Sequence, residues 1–260
     1  MPDRTRAREL AAQFNAKGDP LGWFDALYRE AESGTTEIPW ADLVPNPNLL
    51  DFWKLHPQDT RNKSALIIGS GLGDDAEQLS AWGFQTTAFD ISATAIAVTK
   101  KRFPTTKVQY VPADLLAPPE SWRAKFDFVF ESYTLQSLPP DLRRQAFTKI
   151  AEFLKPAGLL LVIARGRDPE EDPGHVPWRL TREELAEFSR AGLQEVSFED
   201  YVDPHDPGVE NFAPPIAASS SRPSMRPANS HPLSNFQRDV ARYTLIVKSV
   251  ASAITPRCEK

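Results

Sequence analysis

A glycine-rich run and two acidic residues that follow it carry the strongest chemical signal in this chain. The run spans residues 69–73, with the sequence GSGLG, and the acids are Asp90 and Asp114. Glycines allow a backbone to approach a ligand closely, and a helix that begins after such a turn presents free N–H groups and a positive dipole end. The run therefore predicts a binding site for an anionic or polar group of a ligand.

Two phosphate-binding patterns fit this run less well. In a dinucleotide fingerprint the third glycine stands at the sixth position, which is Asp74 here, and a carboxylate at that place would repel a pyrophosphate. A dinucleotide-dependent oxidoreductase is therefore the less favoured alternative. The chain contains no sequence of the form GxxxxGKS or GxxxxGKT, which excludes a P-loop.

Alternating strand and helix patterns surround the run. Short apolar runs predict strands at residues 65–68, 86–89, 108–111, 126–130 and 159–163, and two more at about 195–201 and 242–249. Helix signals lie between them, including a cap at Ser92 and a capping box that begins at Thr181. We expect an α/β fold: a doubly wound, mostly parallel, seven-stranded Rossmann-like sheet with helices on both faces and an antiparallel last strand.

Composition and charge restrict the function classes. The 260 residues include 30 Lys and Arg against 35 Asp and Glu, and this net charge of −5 provides no basic field for nucleic acid. Cys258 is the single cysteine, so the chain has no intramolecular disulfide and no cysteine-based metal site, and we expect no metal. No stretch approaches the roughly 18 uninterrupted apolar residues of a membrane span, so we expect a cytoplasmic protein with no membrane partner.

The distribution of 24 prolines, against about 13 expected for this length, suggests four segments. They are a helical and aromatic cover (1–60), the sheet core (61–203), a Pro/Ser-rich excursion or lid (204–235), and the last strand with a tail (236–260). In the cover, Asp19 and Pro20 predict the start of a helix.

The glycine run, with Asp90 closing the second strand and Asp114 closing the third, resembles the class I S-adenosylmethionine-dependent methyltransferases over about residues 65–163. This resemblance implies S-adenosylmethionine as cofactor, bound by Gly69, Ser70 and Gly71 at its methionyl part, by Asp90 with Ile91 at the ribose hydroxyls, and by Asp114 with Leu115 at the adenine. A carboxylate suits a vicinal diol because it accepts from both hydroxyls. Many members carry an acid where this chain has Ile67, which leaves Asp74 or Glu131 as substitutes.

A narrower resemblance is to the thiopurine, thiol and halide methyltransferases, which have spaced aromatics before the fold and a Pro-rich stretch after the fifth strand. Here these are Trp23, Trp40 and residues 168–178. The resemblance implies a substrate of small-molecule scale and an aromatic cover, with Trp23 and Trp40 over the cofactor. From their places in the sequence pattern, we also expect Trp40, Tyr133, Arg165 and Trp178 to contact the substrate. Because Trp23 lies on a predicted amphipathic helix, it can equally be interpreted as an anchor of the hydrophobic core.

The implied reaction is methyl transfer to a small-molecule nucleophile by in-line displacement, with a thiol or related acceptor favoured. A thiolate needs no strong base, whereas an amine or hydroxyl acceptor would require Glu131 or Tyr133 to assist proton removal. Because Ile67 stands where many members carry an acid, one alternative is a protein of this fold that binds cofactor or a partner without catalysing a reaction.

Two arginine pairs have competing interpretations. Arg165 and Arg167, at the end of the fifth strand, can bind a substrate carboxylate as bidentate forks, although surface arginines are common. For Arg143 and Arg144 we favour a solvated helix face, because two positive charges near the start of a helix oppose its dipole.

Overall fold

The computed structural model describes residues 3–202 and 241–250, which form eight α-helices and one seven-stranded sheet. The strands are β1 (Ser64–Ile68), β2 (Gln85–Asp90), β3 (Gln109–Pro112), β4 (Phe126–Ser132), β5 (Leu154–Arg165), β6 (Leu193–Val202) and β7 (Ala241–Ser249). Their spatial order is β3-β2-β1-β4-β5-β7-β6, with β7 antiparallel to both neighbours and the other pairs parallel. The expected fold class is confirmed, and the strand order reverses between β1 and β4.

Helices follow most of the parallel strands, as the alternation predicts. They are α4 (Asp74–Ala81), α5 (Ala93–Arg102), α6 (Pro140–Phe153), α7 (Arg182–Leu185) and α8 (Glu187–Arg190). Ser92 caps α5, because its Oγ accepts from the backbone N–H of Ala95 at 2.9 Å. The capping box is also present, with Thr181 and Glu184 each accepting from the other's backbone N–H.

Three helices precede the sheet: α1 (Thr5–Ala16), α2 (Gly22–Glu32) and α3 (Pro47–Leu55). The helix start predicted at Asp19 and Pro20 is displaced, because α2 begins at Gly22 and the Asp19 carboxylate accepts from the Gly22 N–H at 2.9 Å. The sequence did not single out α1, whose apolar face consists of the buried Ala7, Leu10 and Ala11 with the partly buried Phe14. The predicted excursion at 204–235 lies outside the described residues.

The core has two layers because side chains of a strand alternate between the faces of the sheet. In β1, Leu66 and Ile68 belong to a cluster completed by α6 and α8, whereas Ala65 and Ile67 belong to one completed by α3, α4 and α5. A third cluster joins α1 to α2. Among the described residues, no helix is long and apolar enough to cross a membrane.

Candidate active site

A cavity of about 380 Å³ lies at the carboxyl ends of β1, β2, β4 and β5, beneath the N-terminal segment. This is the edge where open α/β sheets bind ligands, and the volume is typical of small-molecule sites. The cavity brings together these residues predicted from the sequence: Trp40, Gly69, Ser70, Gly71, Asp90, Ile91, Asp114, Leu115, Tyr133 and Arg165. It does not include Trp23, Glu131 or Trp178 among its lining residues.

The glycine run forms a tight turn between β1 and α4. Gly69 and Gly71 have φ angles of +60° and +53°, in the left-handed region that glycine adopts without strain. The turn is joined to the end of β2 by two hydrogen bonds, from Ser70 N to the Phe89 carbonyl at 2.8 Å and from Gly71 N to Asp90 Oδ2 at 2.9 Å. A Cβ on Gly69 would lie 2.2 Å from the Thr134 Oγ1, so the space as well as the backbone requires glycine there.

We therefore expect Gly69→Ala to lower the free energy of unfolding by about 3 kcal/mol, from left-handed strain together with overpacking. The matched control is Gly34→Ala, because Gly34 has a φ of +75° but no atom within 4 Å of an added Cβ. It should cost about 1 kcal/mol from strain alone. Urea denaturation of both variants measures the difference, and equal losses would contradict the close packing at Gly69.

Asp90 is nearly enclosed at the floor of the cavity. It is 7% exposed, and its carboxylate accepts from Ser92 N at 2.8 Å and from Gly71 N at 2.9 Å. A carboxylate offers about four acceptor positions, so these two bonds leave capacity for a diol. Burial, opposed by these hydrogen bonds, raises the pKa of Asp90 to about 6.

The raised pKa makes ligand binding depend on pH. If the ionised Asp90 binds the ribose hydroxyls, the affinity for S-adenosylhomocysteine should increase about tenfold between pH 5 and pH 7, following the ionised fraction. Asp75 also lines the cavity, and burial raises its pKa to about 6 as well. The Asp90→Asn variant separates the two, because it should lose the part of the pH dependence that Asp90 supplies. Calorimetric titrations at several pH values measure this, and identical profiles for both proteins would contradict it.

The residues around Asp90 fit a nucleoside with a polar tail. Asp114 and the buried Leu115 line the cavity beside it, and the Asp114 Oδ1 accepts from the Leu116 N–H at 2.8 Å. The Ser70 Oγ is buried, and no atom of the described residues forms a hydrogen bond with it. A buried hydroxyl in a cavity wall is costly unless a ligand or water satisfies it, so this wall suits a polar ligand group.

The N-terminal segment covers the cavity through Tyr28 and Trp40. The Trp40 Nε1 donates to the Tyr28 hydroxyl at 3.0 Å, and both side chains line the cavity. Trp23 does not lie where its predicted contact with the cofactor requires. It is 3% exposed, its ring stacks on Phe24, and it packs edge-on against Trp40 with 6.2 Å between the ring centroids. Trp23 is therefore a core anchor, because Phe24 and Tyr28 of α2, together with its N-cap residue Leu21, form the face that lines the cavity.

The two predicted substitutes for an acid at Ile67 are engaged elsewhere. Asp74 forms a two-armed ion pair with Arg102, both contacts at 3.0 Å. Sequence reasoning missed Asp75, one residue further on, whose Oδ1 accepts from the Asn46 N–H at 2.7 Å. Asn46 in turn donates from its side chain to the Ser132 Oγ at 2.9 Å and caps α3, so it connects the cover to the sheet.

Glu131 is a correction to the predicted site. Phe130 and Ser132 line the cavity, and because side chains alternate along β4, Glu131 between them points to the opposite face. It is fully buried, its Oε1 accepts from the Leu135 N–H at 2.8 Å, and burial raises its pKa to about 7. Its contact is with the turn that follows Tyr133, so it supports that turn.

Tyr133 lines the cavity just past the end of β4. Its φ of +61° is uncommon for a bulky residue, and such conformations concentrate at functional sites. Its backbone N–H donates to the Ile163 carbonyl at 3.1 Å, and its carbonyl accepts from the Ser137 Oγ at 3.0 Å. The turn is therefore fixed at both ends of the tyrosine.

Trp178 and Arg167 lie outside the cavity lining, contrary to the roles predicted for them. The chain after β5 folds back over the turn, so the Trp178 N–H donates to the Gln136 carbonyl at 2.6 Å and Pro177 reaches the cavity instead. The Arg167 guanidinium donates to backbone carbonyls, including that of Arg179 at 3.0 Å.

Arg143 is a further correction, because it is 3% exposed and does not lie on a solvated face. Its guanidinium donates to the carbonyls of Leu135 at 2.9 Å and Leu138 at 3.0 Å and forms an ion pair with Glu184. Arg144, next to it, is exposed as predicted. Arg143 thus holds the turn after β4 against α6 and α7.

Comparison with known proteins gives one matching family model and several solved structures of similar fold. Residues 65–158 match the model of a family described as a methyltransferase domain. Among solved structures, an N-methyltransferase from Bradyrhizobium japonicum in complex with S-adenosyl-L-homocysteine is 16% identical, with 85% of this chain and 97% of that chain covered and a TM-score of 0.58. The 1,6-didemethyltoxoflavin-N1-methyltransferase from Burkholderia thailandensis is 18% identical, with coverages of 93% and 89% and a TM-score of 0.56.

A third structure concerns the conversion of a disulfide bond into a thioacetal group during echinomycin biosynthesis. It is 18% identical, with 90% of this chain and 94% of that chain covered and a TM-score of 0.63. No curated protein sequence matches this chain. Residues 65–158 thus match a methyltransferase domain, which supports methyl transfer from S-adenosylmethionine as the reaction, and the solved structures share the fold of the chain.

Proposed function

We propose that this protein is an S-adenosylmethionine-dependent methyltransferase that methylates a small-molecule nucleophile, with a thiol or related acceptor favoured, as in the thiopurine, thiol and halide methyltransferases. The observation that carries the proposal is a single cavity with two differently built ends. The cofactor end comprises Gly69, Ser70, Gly71, Asp90 and Asp114. The acceptor end comprises Arg4, Tyr133, Gln136, Arg165 and Arg242.

The strand order separates the two ends. Asp90 ends β2 and Arg165 ends β5, three strand spacings away, which corresponds to about 14 Å. This span suits a nucleoside-based cofactor at one end and a small acceptor at the other. Tyr28 and Trp40 line the cavity from the N-terminal segment, where their rings reduce the access of water.

When bound, S-adenosylmethionine supplies a methyl group made electrophilic by its sulfonium. The chain then has to hold the acceptor atom in line and keep the site dry, a task of positioning. Tyr133, in its fixed turn, is the residue we assign to contact the acceptor. Glu131, which sequence reasoning offered as a base, lies on the opposite face of β4. A thiol is the favoured acceptor because, with a pKa of about 8.5, it ionises near neutral pH without a strong base.

Methyl transfer from labelled S-adenosylmethionine to thiophenol, aniline, phenol and iodide tests the proposal. We expect a methylated product with the thiol and the slowest transfer with phenol, because a phenol with a pKa of about 10 is almost entirely protonated near neutral pH. Asp90→Ala is the negative control. Absence of product from every acceptor, with S-adenosylhomocysteine bound normally, would contradict methyl transfer to small nucleophiles of these classes.

A further inference from the structure

We propose that the acceptor carries a carboxylate and that Arg4, Arg165, Arg242 and Gln136 bind it at the acceptor end of the cavity. This inference rests on the proposed function and specifies the substrate class. It follows from a concentration of hydrogen-bond donors and positive charge that three separate parts of the chain bring to one place.

Two of the arginines are direct neighbours across the sheet. The antiparallel register of β5 and β7 pairs Arg165 with Arg242, which places their side chains on the same face. Directly opposed residues of such a pair have Cβ atoms about 5 Å apart, and like charges at that position are destabilising. Both residues line the cavity, and Arg242 is 4% exposed. An anion between them would accept a charge-assisted hydrogen bond from each guanidinium.

Arg4 adds a third positive charge from the segment before α1. Burial, together with repulsion from Arg8 and Arg242, lowers the pKa of Arg4, so this side chain lies within electrostatic range of the β7 arginine. Its Nε is buried and has no hydrogen-bond partner within residues 3–202 and 241–250. Asp42 attracts Arg4 and also lines the cavity, but it is exposed to solvent.

Gln136 contributes a neutral donor whose orientation is fixed. Its Oε1 accepts from the Arg165 backbone N–H at 2.7 Å, which leaves the Nε2 as the free end of the amide. The residue is 1% exposed and lines the cavity, and no described residue accepts from this Nε2. A buried donor without an acceptor is costly, so this amide group is suited to an acceptor supplied by the ligand.

A carboxylate matches this arrangement. It accepts only, it is planar, and guanidinium groups bind its two oxygens in a bidentate manner. The cofactor carries a carboxylate of its own, which is a second source of the same chemistry. Arg165 and Arg242 lie three and four strand spacings from Asp90, about 14 and 19 Å, which favours the acceptor as the source.

The first experiment compares acids with their amides on the full chain saturated with S-adenosylhomocysteine. The pairs are 3-mercaptobenzoate with 3-mercaptobenzamide and 3-mercaptopropionate with 3-mercaptopropionamide, titrated by calorimetry. We expect at least one acid to bind tenfold or more tightly than its amide, since bonds to charged groups give gains of about tenfold to hundredfold. The preference should disappear in Arg165→Gln and in Arg4→Gln but persist in Arg61→Gln, a surface arginine paired with Asp59.

The second experiment identifies the source of the carboxylate. S-adenosylhomocysteine and 5′-methylthioadenosine, which lacks the amino-acid part, are titrated into wild type and Arg165→Gln. We expect the variant to bind both within twofold of wild type. Tenfold weaker binding of S-adenosylhomocysteine alone would assign the arginine to the cofactor and overturn the proposal. So would a panel in which no acid binds more tightly than its amide, whereas failure of wild type to bind S-adenosylhomocysteine would refute the proposed function itself.

Discussion

Asp90→Ala is expected to weaken S-adenosylhomocysteine binding by on the order of a hundredfold to a thousandfold. The wild-type carboxylate has capacity for both ribose hydroxyls, and each hydrogen bond to a charged group contributes about 1.5–3 kcal/mol. The variant also leaves the buried N–H groups of Gly71 and Ser92 without their acceptor, so the turn that approaches the cofactor loses its support. Calorimetric titration of the purified full chain measures the change.

Asp90→Asn provides the control for this prediction. It keeps one oxygen acceptor and the approximate volume, so it should bind more tightly than Asp90→Ala and less tightly than wild type. Thermal melting of each apo variant shows whether the fold persists. A dissociation constant for Asp90→Ala within threefold of wild type would contradict the role assigned to Asp90.

Arg143→Met is expected to lower the free energy of unfolding by about 3 kcal/mol, because two buried carbonyls lose their donors and an ion pair with the partly exposed Glu184 is removed. The substitution takes away the donors to the Leu135 and Leu138 carbonyls and the partner of Glu184. Methionine retains much of the apolar volume, so the loss reports the polar contacts. Urea denaturation measures the effect.

Arg144→Met is the matched control, because Arg144 is the next residue of the same helix and is exposed. It should change the stability by less than about 0.5 kcal/mol. Equal effects of the two substitutions would contradict the structural role of Arg143. A selective loss would show that the turn after β4 depends on a buried charge, and acceptor binding by Arg143→Met should weaken in parallel.

The sheet and the cofactor end were largely predictable from sequence. Buried parallel strands appear as continuous apolar runs, so β1 and β5 are visible without any contact information. The glycine run is equally visible, because the backbone at Gly69 requires a residue without a side chain. Asp90 and Asp114 follow from their places at strand ends, and both line the cavity.

The errors arose where direction and burial decide the role of a side chain. Glu131 was predicted to lie in the site because it ends a strand, but the strand's two-residue period turns it away. Arg143 was assigned to solvent because two positive charges near the start of a helix oppose its dipole. In the structure its guanidinium instead donates to the Leu135 and Leu138 carbonyls and pairs with Glu184 of another helix. Trp23 was assigned to the cofactor because it is an aromatic residue before the fold. The helical spacing of Leu21, Phe24 and Tyr28, however, marks the face that lines the cavity.

The sequence did not allow all residues of the acceptor end to be predicted. Arg4 and Arg242 belong to opposite ends of the chain, and only the pairing of β7 with β5 brings the second of them beside Arg165. Gln136 carries no motif, and its unused amide becomes evident only from its burial and its bond to the Arg165 N–H. This end of the cavity is formed by the pairing of strands that are distant in the chain, which no local sequence pattern shows.

A crystal structure of the complex with S-adenosylhomocysteine is the most direct test of the division of the cavity into two ends. We expect the ribose hydroxyls at hydrogen-bond distance from Asp90, the adenine beside Asp114 and Leu115, and the sulfur directed toward Tyr133. A nucleoside bound over Arg165 and Arg242, with Asp90 making no contact to it, would contradict this division.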